Sequence, residues 1–248
     1  MTESISALAA RLARLPRVVA VVLGGSRATG TARPDSDWDL GVYYRGAFDP
    51  AGVSALAGTT GYVSELGEWG PIMNGGAWLT VDGLAVDVLY RDLDAVERWT
   101  REAHAGRFEI LTQNGYLAGA PTYLPAGELA LCRVLQGEPP RPAFTKALAA
   151  AAQGRWEGRA GVSLMFAGIH ADTGDAVACL GMLAHATLCA AHARLAARRE
   201  WVLNEKRLVT RAGLDETQRL LGAPGDLRDA VAAVARVLGA EPLQARAP

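Results

Sequence analysis

Apolar positions in the first ninety residues switch between two periods. Ile5, Leu8, Ala9, Leu12 and Leu15 recur at three- and four-residue spacing, which predicts a helix over 3–15 that Pro16 ends. The run VVAVVLGG (18–25) is short, continuous and β-branched, as a buried strand would be. SDWDLGVYY (36–44) alternates and is rich in aromatics, which predicts a second strand. PAGVSALAG predicts a short helix, and TGYVSELGEWG a further extended segment. GGAWLTVDGLAVDVLYRD (75–92) has two strand-like halves around Asp82-Gly83, and an Asp-Gly pair between apolar runs is a strong hairpin signal.

The texture changes at about Leu93. From there the chain is rich in Ala, Leu and Arg, with helical spacing and few strand formers. Residues 177 to 199 are typical, with Val177, Leu180, Leu183, Ala184, Leu188, Ala191 and Leu195 at three and four. GEPPRP (137–142) reads as a break between helical segments. The expected fold is α+β. A mixed sheet with flanking helices occupies residues 1–92, and a helical bundle domain follows over residues 93–248.

Composition narrows the functional classes. The chain has 248 residues, half of them apolar, enough to bury a real core. Its net charge is -1, so no global field draws it to nucleic acid or an anionic membrane. Cys132, Cys179 and Cys189 form an odd, widely spaced set with no CxxC pair, which indicates neither a disulfide framework nor a zinc site. MTESISALAARLARLP lacks the long apolar core of a secretory signal, and no apolar run reaches the roughly 18 residues of a membrane span. The expected location is cytoplasmic.

One stretch carries chemistry that the periodicity does not explain. In LGGSRATGTARPDSDWDL (23–40) an apolar strand runs into Gly24, Gly25 and Ser26, and two aspartates follow around one tryptophan. Strand alternation puts Asp37 and Asp39 on one face and Trp38 on the other. Two carboxylates held together repel, and a divalent ion such as Mg²⁺ removes the conflict. Asp87 lies between Val86 and Val88 in a later strand, so it faces away from both valines. A third carboxylate meeting the first two would explain a charge there; an ion pair with Arg27 or Arg91 is the structural alternative. Glycines after a strand let the backbone approach a ligand, and the following N–H groups and the Ser26 hydroxyl suit phosphate oxygens. The competing reading of residues 24–39 is a capped loop, with Ser26 as helix cap and Asp35, Ser36 and Asp37 as turn residues. Arg27 and Arg33 are candidates for phosphate contact or for plain solvated loop positions.

Gly25-Ser26, ten intervening residues, Asp37-Trp38-Asp39-Leu40 and then Asp87 on a later strand resemble the nucleotidyltransferase superfamily related to DNA polymerase β. GSRATGTARPDSDWDL is especially similar to minimal and aminoglycoside nucleotidyltransferases. The resemblance covers the strand order to about residue 92. It implies Mg²⁺-dependent transfer of a nucleoside monophosphate, AMP from ATP foremost, to a hydroxyl, with pyrophosphate released. Asp37, Asp39 and Asp87 would ligate two metal ions, with Asp87 also placed to help deprotonate the acceptor. Gly25 and Ser26 would hold the triphosphate, and Lys206 in LNEKRL is a candidate to approach it from the helical half. Glu65 and Glu68, on an extended segment, either face the acceptor or are solvated edge-strand residues.

The leading acceptor class is a small molecule of aminoglycoside type, which would make the protein an antibiotic-resistance enzyme. The alternatives are an antitoxin-like enzyme that modifies a protein or RNA partner, and a nucleotide-binding regulator without turnover. Near-neutral charge weighs against nucleic acid, and a homodimer is compatible with the resemblance. His185 and His192, seven apart, share a helical face and read as packed residues, while His170 and Asp172 read as cap residues before a helix at Thr173. Trp69, Trp78, Trp99, Trp156 and Trp201 are too dispersed to predict a stacking platform and read as core.

Overall fold

Thr2 starts the first helix by accepting the Ile5 N–H on its hydroxyl, and the apolar stripe behind it packs against a sheet. The computed structural model describes residues 2–57 and 61–240. Its elements run α1 (Glu3–Leu12), β1 (Val18–Leu23), α2 (Gly25–Ala28), β2 (Trp38–Tyr44), α3 (Ala51–Ala57), β3 (Tyr62–Val63), α4 (Gly70–Met73), β4 (Gly76–Val81) and β5 (Leu84–Asp92). They continue with α5 (Leu93–His104), β6 (Ile110–Gln113), β7 (Tyr116–Pro121), α6 (Leu124–Leu131), β8 (Arg133–Gly137), α7 (Lys146–Asp172), α8 (Ala176–Ala197), α9 (Leu208–Arg211), α10 (Asp215–Gly222) and α11 (Leu227–Leu238).

Six strands form one mixed sheet in the order β3-β4-β5-β2-β1-β8. Only β2 and β5 pair in parallel; the other neighbours are antiparallel. Alternation sorts their side chains onto two faces. Val21, Leu23, Trp38, Leu40, Val42, Val86, Val88 and Tyr90 join Ile5, Leu8 and Leu12 of α1 in one core. Ala20, Val22 and Tyr43 join Leu93, Val96, Leu129 and Cys132 in a second core on the opposite face. Full burial stabilises each large aliphatic side chain by about 1.5–3 kcal/mol, so the α1 stripe alone anchors that helix. Asp82 and Gly83 both have positive φ, at 50° and 77°, and make the tight turn that the Asp-Gly pair predicts between β4 and β5.

The chain divides by contacts into residues 1–102 with 121–143, and residues 103–120 with 144–248. This differs from the expected boundary between 92 and 93. After α5 and an excursion, the chain returns to add α6 and the edge strand β8 to the sheet, beside β1. Nothing local marks RVLQG as a strand; its pairing with β1 makes it one. GEPPRP therefore follows a strand rather than separating helices. The "helical half" also holds the small sheet β6-β7, turned at Asn114-Gly115, an Asn-Gly hairpin signal that helical texture on both sides obscured.

In the second unit, α7, α8 and α11 bury Leu164, Ala167, Cys179, Leu183, Ala186, Val231 and Val234 together. The period expected for 177–199 is present, but Val177 at its start is 86% exposed and Cys179 is buried instead. Helix α8 is long and apolar enough by composition to cross a bilayer, contrary to the expectation from apolar runs; its buried side chains form this unit's core. Thr173 caps the C-terminus of α7, and Asp175, not Asp172, N-caps α8.

Candidate active site

The turn after β1 is built on a single atomic constraint. Gly25 has φ +58°, and a Cβ on it would stand 1.8 Å from Oδ2 of Asp39. Only glycine lets the carboxylate lie against the backbone there. One residue earlier, the Gly24 N–H donates to the Asp39 carbonyl at 2.8 Å, extending the β1-β2 ladder to its end. Gly24 thus spends its N–H on the sheet. The first-turn N–H groups of Gly25, Ser26 and Arg27 in α2 are of the kind a helix leaves without an internal acceptor. Ser26 is half-buried in that turn.

Asp39 and Asp87 are register partners on the two parallel strands. They share a face about 4.8 Å apart at the backbone, the one opposite the α1 core, as Val86 and Val88 require. Both carboxylates are partly exposed. Asp37 stands one residue before β2, exposed. Among the described residues no group of three His, Cys, Asp or Glu side chains converges as a metal-binding cluster. The structure therefore brings together Gly25, Asp39 and Asp87, keeps Asp37 beside them in sequence, and does not close all three carboxylates into one set.

Arginine roles are resolved locally. Arg27 folds back over the 34–37 segment: its Nε donates to the carbonyls of Ser36 and Asp37, both at 3.1 Å, and its guanidinium lies 4.3 Å from the Trp38 ring centroid. It shapes the approach to Asp37. Arg33 pairs with Asp35 at 3.3 Å on the open surface. Arg91, 1% exposed, makes a two-pronged pair with Glu128 at 2.6 and 2.8 Å, and its Nη1 donates to Met73 and Tyr90 carbonyls.

Glu65 and Glu68 are not on an extended segment, because β3 stops at Val63 and a turn follows. Glu68 accepts the Tyr62 hydroxyl and the Glu65 N–H. Those two hydrogen bonds, the tyrosine's first, hold its carboxyl below the usual range. The tryptophans also depart from expectation. Trp156 is core, but Trp69 and Trp78 group with Tyr62 on the sheet. The alternation of GGAWLTV, with Ala77 and Leu79 buried, was the available signal for an outward Trp78.

Residues 5–92 match the family model described as a nucleotidyltransferase domain. This stretch belongs to the nucleotidyltransferase superfamily. The match ends at the last residue of β5, so it takes in the glycine turn and all three aspartates. The nucleotidyltransferase domain is accordingly a nucleotide-transfer fold, with the central mixed sheet that the sequence predicts. The crystal structure of a nucleotidyltransferase-like protein from Exiguobacterium sibiricum 255-15 is similar over 96% of this chain and 74% of that one, with a TM-score of 0.46 and 10% identity. No curated protein matches the chain.

Lys206 lies outside the nucleotidyltransferase domain, and not on a helix. REWVLNEKR is a loop and turn before α9, which starts at the following Leu208: Lys206 is exposed, and Arg207 is left-handed at φ 56°. Glu205 is held inward, accepting the N–H groups of Leu117 and Ala118 at 2.8 Å each. The histidines of α8 are packed. His185 meets the Ser163 hydroxyl at 2.7 Å, and His192 stacks on Trp156 with ring centroids 4.2 Å apart. A cavity of about 200 Å³, lined in part by Tyr44, Asn74, Arg91 and Trp99, lies toward the far ends of β2 and β5. Four to five residues of strand separate it from the aspartates, roughly 13–16 Å.

Proposed function

We propose that the protein is a Mg²⁺-dependent nucleotidyltransferase that moves AMP from ATP to a hydroxyl of a small molecule of aminoglycoside type. The observation that supports this reading is the Asp39–Asp87 pair on adjacent parallel strands, with Gly25 pressed against the Asp39 carboxylate. Two neighbouring carboxylates on one face, partly open to solvent, suit a hard cation whose remaining ligands are substrate phosphates. Asp39 and Asp87 would hold it, with Asp37 exposed just ahead of β2. When bound, Mg²⁺ neutralises charge on the phosphates and stabilises the oxygens of an in-line displacement.

The chain's own groups do the positioning. N–H groups of the first turn of α2 and the Ser26 hydroxyl donate to the triphosphate tail. The acceptor oxygen bonds to the α-phosphorus as the α–β bridging bond breaks, and pyrophosphate leaves with that electron pair. The hydroxyl proton passes to the Asp87 carboxylate, which lies on the side of Asp39 away from the glycine turn. We place the protein in the cytoplasm, a reducing compartment in keeping with three free, buried cysteines.

The test is incubation of the pure protein with Mg²⁺, labelled ATP and an aminoglycoside panel, read by mass spectrometry. An acceptor heavier by one adenylyl group (AMP less water) is expected, with the product reduced at least about a hundredfold in Asp39→Asn and in Asp87→Asn. Product formation that survives either substitution refutes the assignment of those carboxylates. Mg·ATP binding with no product from any acceptor refutes the small-molecule reading.

A further inference from the structure

The line of residues through Asp39 and Asp87 does not end at the carboxylates. Trp78 on β4 is the register partner of Asp87, and Tyr62 on β3 is the register partner of Trp78. Partners in register share a face, so Tyr62, Trp78, Asp87 and Asp39 form one row across four strands at a spacing of about 4.8 Å. Trp78 is 55% exposed and Tyr62 40%, while Ala77 and Leu79 on either side of Trp78 are buried in the core beneath. Trp69 completes the group by lying over Gly76, where a Cβ would stand 2.5 Å from its Cζ3. The same Cβ would stand 2.2 Å from the Val88 carbonyl oxygen, so the glycine is required by the neighbouring strand as well as by the indole.

Trp69 stacks on Tyr62 and on Trp78, at 11° and 26° with centroids 6.4 and 5.3 Å apart, and Tyr62 is tilted by 32° against Trp78 at 5.0 Å. A column of three stacked rings would separate its outer members by roughly 10 Å, twice the usual pair distance. The short triangle of distances instead describes overlapping shingles, from which Trp78 presents the largest exposed surface. Carboxylates rim it. Glu68 accepts the Tyr62 hydroxyl at one edge, Glu65 follows on the same exposed turn, and Asp87 stands at the other edge. Exposed aromatic faces beside negative charge favour a cation carried on a ring.

We propose that the Tyr62–Trp69–Trp78 floor is the acceptor subsite, and that it takes a hydroxylated ring bearing an ammonium group, stacked on Trp78 with its hydroxyl toward Asp87. The proposal rests on the nucleotidyltransferase reading for the direction of transfer. The glycine turn lies past Asp39 at one end of the row and the aromatic floor past Asp87 at the other, so phosphate and acceptor approach the carboxylates from opposite sides. Trp78 is then the residue that selects the acceptor, and it leaves the nucleotide untouched.

The experiment measures binding to the full chain by calorimetry, with ring-current shifts of the ligand protons read by NMR. The probes are 2-deoxystreptamine, the uncharged ring myo-inositol, and Mg·ATP. Expected are upfield shifts of the 2-deoxystreptamine ring protons and weaker binding of myo-inositol. Trp78→Leu should lower 2-deoxystreptamine affinity about tenfold, Trp78→Tyr should restore most of it, and Mg·ATP affinity should stay within about twofold in both. Equal binding of both rings, or of 2-deoxystreptamine by wild type and Trp78→Leu, overturns the proposal. So does a loss of Mg·ATP affinity in Trp78→Leu, which would make the floor a seat for the nucleobase. If wild type takes 2-deoxystreptamine as expected but binds no Mg·ATP, the subsite stands and the transferase reading falls. Melting of each variant checks folding, and the outward position of Trp78 predicts little change.

Discussion

Substituting Gly25 by alanine isolates the contact on which the site is built. Two costs arise, and a second glycine in the same loop separates them. Gly25 and Gly30 both have positive φ, +58° and +74°, so alanine at either incurs about 1 kcal/mol of left-handed strain. At Gly30 nothing lies within 4 Å of the new methyl. At Gly25 the methyl would stand 1.8 Å from Asp39 Oδ2, 2.6 Å from Cγ and 3.2 Å from Cβ. The carboxylate has to retreat by roughly 1.5 Å to reach van der Waals separation, at about another 1 kcal/mol for the displaced rotamer. Gly30→Ala should therefore lower the melting temperature by about 2–4 °C and Gly25→Ala by about twice that. Function should separate the two far more sharply. A displacement of order 1 Å in a positioned group can cost about a hundredfold in rate. Calorimetric titration with Mg·ATP should show Gly25→Ala weakened at least about tenfold and Gly30→Ala within about twofold. Equal affinities for the two variants, at comparable stability, would refute the claim that the Asp39 carboxylate acts from the place where Gly25 holds it.

Two further outcomes concern stability. Glu128→Gln leaves the buried Arg91 guanidinium without its countercharge, although Met73 and Tyr90 carbonyls still accept from Nη1. The expected loss is about 3 kcal/mol, the low end for breaking a buried pair, seen as a fall in denaturation midpoint; a loss below about 1 kcal/mol would show the pair to be solvated. His192 is held neutral by burial first and by Arg211 second, which push its pKa from 6.5 down to about 3. A depressed histidine pKa means the unfolded chain binds the proton first, so stability is complete above pH 6.5 and falls as pH drops toward 3. Between pH 6.5 and 5 the loss should be about 2 kcal/mol, and His192→Phe, which keeps a ring on Trp156, should flatten that part of the profile. An unchanged profile in His192→Phe would remove His192 as its source.

What the sequence determined by itself was local and periodic. Helix α1, strands β1, β2, β4 and β5 and the Asp82-Gly83 turn follow from spacing, because one buried face imposes a period on neighbouring residues. The same alternation put Asp39 and Asp87 opposite their apolar neighbours before any strand order was known. Tertiary structure decided which strands became neighbours, and with that the site. No spacing rule sets Asp39 beside Asp87; the parallel pairing of β2 with β5 does. Pairing alone made RVLQG a strand, and the end of β3 at Val63 turned Glu65 and Glu68 out of a strand and into a turn. The aromatic floor shows the limit most plainly. Tyr62, Trp69 and Trp78 look dispersed along the chain, and each has a plausible place in a core. They meet because β3 pairs with β4 and because Gly76 has no side chain to keep Trp69 away. A pattern of residues records which face each one takes, whereas contacts between distant residues depend on strand order, which the pattern does not encode.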